Sequence, residues 1–348
     1  MMRIFLIAVV TVIILIGAVG GIGYWKYNAA LEQPLMITNE QTIIVPKGAS
    51  PNAMFSLLEK KDIITDASFL RLYWRLEKKG HTIHAGEYLL KPGMDIKQLI
   101  SIWLKGEVVL YKITLVDGWS FKQVRAALGK QEALKLITQE MTDQEIMDKL
   151  GVSDVHPEGQ FFADTYVYMR GDTDLSILQQ AHKRLVDELD DAWQNRADDL
   201  PYKTPYQALI MASIIEKETG VAEERPKIAG VFIRRLEKGM LLQTDPTVIY
   251  GMGDSYKGKI TRADLKKETP YNTYVISGLP PTPIAMVSRK AIDAALHPEE
   301  GKFLYFVANG DGSHVFSESL TEHQRAVRKY QLNRRADYRS SPPPQELK

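Results

Sequence analysis

The sequence contains no cysteine, which excludes disulfides, thiol catalysis and every cysteine-based zinc or iron–sulfur site. Histidine is scarce: seven residues are scattered without an H-E-x-x-H or comparable spacing, so neither a metal site nor a metal cofactor is expected. An excess of charge of either sign is also missing. Lys and Arg number 44 against 43 Asp and Glu, giving a net charge of +1, and this removes the usual electrostatic ground for nucleic-acid binding. Low-complexity or collagen-like composition is absent too, because 45% hydrophobic and 25% charged residues are the proportions of a chain with a core. The length of 348 residues suggests about two domains.

Charge is missing altogether from one stretch. Ile4 to Trp25 (IFLIAVVTVIILIGAVGGIGYW) is long enough to cross a bilayer as a helix, which takes about 20 residues. Arg3 precedes it, Tyr24 and Trp25 suit the far interface, and a long polar-patterned chain follows. This predicts an N-in, C-out anchor, opposed only by Lys26 on the outer side. The alternative is a cleaved signal peptide, but the apolar run exceeds the usual h-region and no clean A-x-A site follows. With the anchor retained, the body of the protein works outside the cytoplasmic membrane. Nucleotide cofactors are scarce there, which disfavours kinases and dehydrogenases.

Beyond a polar linker at 26–40, Thr42 to Gly48 alternates as a strand and ends in a turn signal. Met54, Leu57, Leu58, then Phe69, Leu70, Leu72 and Tyr73, recur at helical spacing and predict two short amphipathic helices. His84 to Leu90 reads as a strand, Ile96 to Trp103 as a helix and Val108 to Val116 as a strand. The run GEYLLKPGMDIKQLISIWLKGE resembles the LysM-like subdomain that accompanies cell-wall enzymes, with a plain α+β support module as the alternative. Further on, Phe121 to Leu128 and Asp174 to Arg196 are helical by period, interrupted by HPEGQFFADTY at His156 to Tyr166. In that interruption Glu158 and Asp164 are candidates for substrate contact, and the competing reading is a loop whose aromatics plug the core.

At Thr204, T-P-Y-Q has the arrangement of a capping box with proline at the first helical position. The following ALIMASIIEKET is apolar nearly all round, so the helix is expected to be buried, with Gly220 as its stop. It carries Glu216 and Glu218, which lie roughly 200° apart on a helix and cannot face one site together. Glu218 shares its face with Met211, Ile214 and Ile215, and periodicity favours it as the buried one. A carboxyl held against apolar side chains at the negative end of a helix dipole shifts toward its neutral form, which a general acid needs near pH 7. Two solvated or ion-paired surface carboxylates remain the alternative.

The blocks ASIIEKETGVAEERPKIAGVFIRRL, LLQTDPTVIYG, PYNTYVISGLPPTPIA and LYFVANGDGSHVFSESLTEH, in this order, resemble the YceG-like (MltG-type) endolytic murein transglycosylases from about Thr42 to Gln324. The resemblance implies a membrane-anchored enzyme that cuts peptidoglycan glycan strands internally at the MurNAc–GlcNAc bond. It leaves 1,6-anhydro-N-acetylmuramic acid ends and so limits strand elongation. Glu218, in E-K-E-T, is the implied catalytic residue, peptidoglycan strands the substrate, and membrane-bound peptidoglycan synthases the expected partners. An inner-membrane location with the bulk of the chain in the periplasm goes with it. Departures from the family pattern are Arg234 in V-F-I-R-R-L, Met286, Val287 and Ser288 after GLPPTPIA, Gln324, and Ala163 in F-x-A-D-T-Y.

The remaining residues suit saccharide chemistry. Gln243, Thr244 and Asp245 form a polar corner ahead of a strand-like TVIY, and Tyr271, Asn272 and Tyr274 combine aromatic faces with an amide. With Glu158 these are the candidate substrate-binding residues. An Asx turn at Asp245 and plain packing at the tyrosines are the bland alternatives. His314 has no evident carboxylate partner, so a hydrolase triad is disfavoured. The expected architecture is α+β: a cytoplasmic start at 1–3, an anchor at 4–25, a linker at 26–40, a LysM-like subdomain at 41–116, a mixed helical and stranded catalytic domain at 117–338 and a disordered tail at 339–348. A non-catalytic, membrane-anchored glycan-binding scaffold that recruits synthases is the other functional class the sequence allows, and it predicts that changing Glu218 leaves function intact.

Overall fold

The first helix, α1 (Met2–Leu31), has an 18-residue window of mean hydropathy 2.9, and the side chains of that window are exposed. It is long and apolar enough to cross a membrane. The computed structural model describes residues 2–333, and the expected tail at 339–348 lies outside the described residues, as does Met1. The helix does not stop at Trp25 as the hydropathy run suggests; it continues through Lys26 to Leu31, where Tyr27 and Leu31 turn inward on a hydrophobic core.

The described residues divide into two compact units, 2–111 with 167–172, and 112–166 with 173–333. In the first, β1 (Gln41–Val45) pairs antiparallel with β2 (Gly86–Leu90), Ile43 opposite Tyr88. Alternation on β1 sends Ile43 and Val45 inward, and α2 (Pro51–Lys60), α3 (Ser68–Glu77) and α4 (Ile96–Lys105) supply the other side of that core. The buried stripes are Met54, Phe55 and Leu58, then Leu70, Tyr73 and Trp74, so Leu72, counted as inward by spacing, is exposed instead. Helix α4 opens with a reciprocal Asp95–Gln98 capping box and closes on Gly106, whose φ of 69° is left-handed. Glu87 of β2 is buried against Tyr111 and Arg170, with Arg170 Nε 2.6 Å from Oε2. Strands β3 (Leu110–Thr114) and β4 (Thr165–Met169) form a second two-stranded sheet.

The second unit is mainly helical. It contains α5 (Phe121–Leu128), α6 (Asp143–Leu150), α7 (Asp174–Gln194), α8 (Pro205–Glu218), α9 (Arg225–Glu237), α10 (Asp245–Met252), α11 (Arg289–Leu296) and α12 (Leu320–Val327). The hairpin of β5 (Tyr305–Ala308) and β6 (His314–Ser317) is added to them. Helix α8 is its axis: every residue from Ala208 to Glu216 is buried, packed among α7, α9 and α11.

Three local expectations change. Thr204 caps α8 by accepting from the Gln207 amide, but the Gln207 side chain accepts from Lys203 instead of closing a reciprocal box. The stop is Thr219, extended at φ −144° and ψ 137°; Gly220 is not left-handed. Thr-Val-Ile-Tyr, strand-like by composition, lies in α10, because Asp245 and Pro246 open a helix there and Thr247 and Val248 bury against the unit.

Candidate active site

The last turn of α8 brings in both candidate carboxylates. Glu216 is the deeper, 9% exposed, which reverses the expectation drawn from periodicity. Helix α8 is enclosed on all sides, so face counting cannot rank its end residues; what closes over Glu216 is Arg225 from α9 and Ser288 before α11. Arg225 Nη2 donates to its Oε1 at 2.6 Å, and the Ser288 N–H and hydroxyl donate to Oε2 at 2.8 and 2.5 Å. Burial pushes the Glu216 carboxyl up and these donors push it back. A carboxylate so committed holds the fold together rather than reacting.

Glu218 is half-buried and borders a cleft of about 500 Å³. The Thr244 hydroxyl donates to its Oε1. Burial pushes the carboxyl up to about 7, with the nearby Asp245 charge adding to the rise and the Thr244 donor opposing it. A carboxyl divided between its two forms near neutral pH can give a proton and take one back.

The segment Gln243–Asp245 is held in place by the Y-N-T-Y block. Gln243 sits at φ +51°, unusual for a residue with a side chain, and its N–H donates to the Thr273 carbonyl at 3.0 Å. The Thr244 N–H donates to the Thr273 hydroxyl at 3.0 Å, and Thr247 Oγ1 lies 2.9 Å from that hydroxyl. Thr244 is the N-cap residue of α10, yet its side chain makes no cap bond and is used on Glu218. Tyr274 donates its hydroxyl to Asp245 Oδ1 at 2.7 Å.

Gln243, Thr244, Asp245 and Tyr274 therefore line the same cleft as Glu218. Tyr271, Asn272 and Glu158 do not. Asn272 is 1% exposed, and its amide donates to the carbonyls of Asp264, Leu265 and Lys267 while its oxygen accepts from the Tyr274 N–H, which pins the loop. Tyr271 packs edge-on against Tyr250 and shares a 2.9 Å hydrogen bond with Thr282. Glu158, 4% exposed, accepts from the Phe121 N–H at 2.9 Å, and burial pushes it up to about 7. Residue type alone suggests these three for substrate contact, and the fold uses their polar atoms internally. Asp164 Oδ1 accepts from the Thr165 N–H beside it.

The cleft is also lined by Arg235, Tyr305, His314 and His323, none of which the motif reading offers as a substrate-binding residue. His314 has a carboxylate partner after all. Its Nδ1 lies 2.8 Å from Glu224 Oε2 and its N–H donates to Oε1 at 2.7 Å, and Glu224 also accepts from the Thr219 hydroxyl at 3.2 Å. Glu224 lies ninety residues earlier in the chain, too far for spacing to signal the pair. Three of the departures from the family pattern make their contacts with groups other than Glu218. Arg234 donates to the carbonyls of Phe303 and Glu299, Met286 exchanges backbone bonds with Gly118 and Trp119, and Ser288 holds Glu216.

Residues 43–329 match the YceG-like family. The chain belongs to that family. Over 327 residues it is 33% identical to the endolytic murein transglycosylase of Bacillus subtilis (strain 168), covering 88% of this chain and 90% of the relative. It is 25% identical to the endolytic murein transglycosylase of Streptococcus pneumoniae serotype 2, over 92% of this chain and 64% of that one. A crystal structure of a yceG-like protein from Listeria monocytogenes superposes with a TM-score of 0.54 at 30% identity, covering 83% of this YceG-like chain and 99% of the other.

Proposed function

We propose that the chain is an endolytic murein transglycosylase that cleaves the MurNAc–GlcNAc bond within peptidoglycan strands and leaves 1,6-anhydroMurNAc ends. The observation that carries this reading is Glu218: a half-buried carboxyl with a pKa raised to about 7, facing a polar cleft in a chain related to murein transglycosylases. Glu218 protonates the glycosidic oxygen as the C1–O bond breaks. The muramyl 6-hydroxyl then attacks C1 and gives its proton to the Glu218 carboxylate, which restores the acid. The kinetic advantage over water is proximity, since the nucleophile belongs to the substrate. Thr244 keeps the carboxyl aimed, and Asp245 and Tyr274 offer polar and aromatic contacts to the sugars.

One observation favours a hydrolytic reading. Asp245 places a second carboxylate in the cleft, and ordinary glycosidases work with two. Reaction in ¹⁸O-labelled water followed by mass spectrometry separates the two. The transglycosylase leaves unlabelled anhydro ends, whereas label in new reducing ends overturns it in favour of Asp245-assisted hydrolysis.

The same reading includes an inner-membrane anchor, a periplasmic body, an effect on the length of nascent strands and association with membrane-bound synthases. Its support is α1 and its hydropathy. The LysM-like character of the first module belongs to it as well, supported by β2, the turn after it and α4 following one another as the resemblance requires. Alkaline phosphatase fused after residue 40 should be active, with Met1 or Met2 still present in the mature chain. A mature N-terminus beyond Gly23 would make α1 a signal peptide.

A further inference from the structure

Arg235 stands in the Glu218 cleft as a buried cation that has no ion-pair partner among the described residues. It projects from α9 and is 7% exposed. Its Nε donates to the Leu304 carbonyl at 2.7 Å, and Nη1 donates to those of Leu241 and Leu242 at 3.0 and 2.9 Å, with Gln243 Oε1 at 3.4 Å. All of these acceptors are neutral. Arg225 and Arg170, also buried or half-buried, each have a carboxylate at 2.6 Å, but among the described residues none lies within ion-pair distance of Arg235. Withdrawing a guanidinium from water is unfavourable, and neutral carbonyls offset only part of that cost.

The arrangement also leaves one edge of the guanidinium open. Nε and Nη1 are committed, while Nη2 has no hydrogen-bond acceptor among the described residues, and the residue lines the cleft. The Tyr305 ring lies 5.0 Å from the guanidinium carbon, and His323 stacks on Tyr305 at 5.2 Å. Burial and the Arg235 charge both hold the His323 ring below its ordinary pKa, so it is neutral at pH 7 and the positive charge beside Tyr305 is that of Arg235. The acids of the cleft are occupied elsewhere, Glu218 by Thr244 and Asp245 by Tyr274. A pinned, planar donor group with a free edge and no counter-charge is pre-organised to receive a carboxylate.

We propose that Arg235 is the anion-recognising residue of this cleft and that it binds a carboxylate carried by the saccharide substrate. The nature of that saccharide rests on the transglycosylase reading. Peptidoglycan offers carboxylates from two sources: the lactyl group of a muramyl residue without peptide, and the stem peptide of a substituted one. Either would complete the ion pair that the fold leaves open, and would set the register of the strand against Glu218. A neutral glycan would leave the guanidinium unpaired.

The test measures binding to the full chain in detergent, carrying Glu218→Gln so that no turnover intervenes. Calorimetry compares two pairs of GlcNAc–MurNAc tetrasaccharides: peptide-free with lactyl carboxylates free or amidated, and peptide-bearing with stem carboxylates free or amidated. Amidation is expected to weaken binding by about tenfold in at least one pair, the size of a charge-assisted hydrogen bond at 1.4 kcal/mol per decade. The pair that responds identifies the source, and a response in both supports the shared chemistry. Adding Arg235→Gln should abolish the acid preference, and Arg235→Lys should restore part of it. Equal affinity for acid and amide forms in both pairs overturns the proposal, as does failure of all four to bind. This comparison needs only the chain with Arg235 intact, so it decides even if Arg235→Gln does not fold. Because it reads binding, a loss of the transglycosylase reading in labelled water leaves it standing or falling on its own.

Discussion

Two glutamates in one helical turn have opposite duties, and their partners decide which is which. Glu218→Gln keeps the shape but cannot move a proton, so turnover should fall by about 10² to 10⁴ or more in a muropeptide-release assay. The folded carboxyl has its pKa raised from 4.5 to about 7, so the folded state binds more protons in that interval and the stability of the wild type declines as pH rises through it. Melting temperatures of wild type and Glu218→Gln should therefore agree near pH 4 and diverge by pH 8, with the variant more stable by up to roughly 3 kcal/mol. Glu216→Ala should instead cost about 3 to 5 kcal/mol, because it strands the buried Arg225. The alkaline limb of kcat/KM, set by the Glu218 acid, should fall above about pH 7, and its neighbours should move it in opposite directions. Thr244→Val removes a donor to the carboxylate and should shift the limb up; Asp245→Asn removes a negative neighbour and should shift it down. Shifts in the same direction would remove the electrostatic account of the site.

Among the elements, α9 depends on a missing side chain. A Cβ on Gly230 would lie 2.3 Å from the Glu299 carbonyl oxygen and 2.9 Å from Arg234 Nη1, which itself donates to that oxygen. Gly230→Ala gains about 1 kcal/mol of helix propensity and loses about 1 to 3 to overpacking, so the urea midpoint should fall despite the better helix former. The Y-N-T-Y loop has a similar internal logic. Asn272 gathers three carbonyls, so Asn272→Ala should lower the thermal midpoint together with turnover, whereas a residue that only touched sugar would lower turnover alone. An unchanged midpoint would return Asn272 to substrate placement.

For the whole molecule, α1 has two parts with different solvents. Its exposed apolar length suits a bilayer, whereas Tyr27 bonds Glu77 and packs on Tyr73, and Leu31 enters the first unit's core. A chain beginning at Lys26 should leave the membrane fraction and keep its melting temperature. One beginning at Pro34 should be less stable by about 2 kcal/mol or more, the value of a buried leucine. Equal stability of the two truncations would show that the end of α1 contributes nothing to the fold.

Several features were settled by local sequence. The charge-free run, the capping residue Thr204, the period of α5 and α7 and the all-round apolar character of α8 act over a few residues, so they are legible without the fold. Gln243, Thr244, Asp245 and Tyr274 could be named because polar and aromatic residues clustered beside a proline turn. What only the tertiary structure decided is which polar atoms remain free. Asn272 and Glu158 look like ligand-binding residues until the loop carbonyls and the Phe121 N–H take their hydrogen bonds. His314 looks partnerless until Glu224 arrives from ninety residues away, and Arg235 looks like any surface arginine until α9 buries it among neutral carbonyls. The physical reason is that helical and strand periods depend on neighbours in sequence, whereas desolvation and hydrogen-bond satisfaction depend on neighbours in space. A site is made of the groups that the rest of the fold leaves unsatisfied.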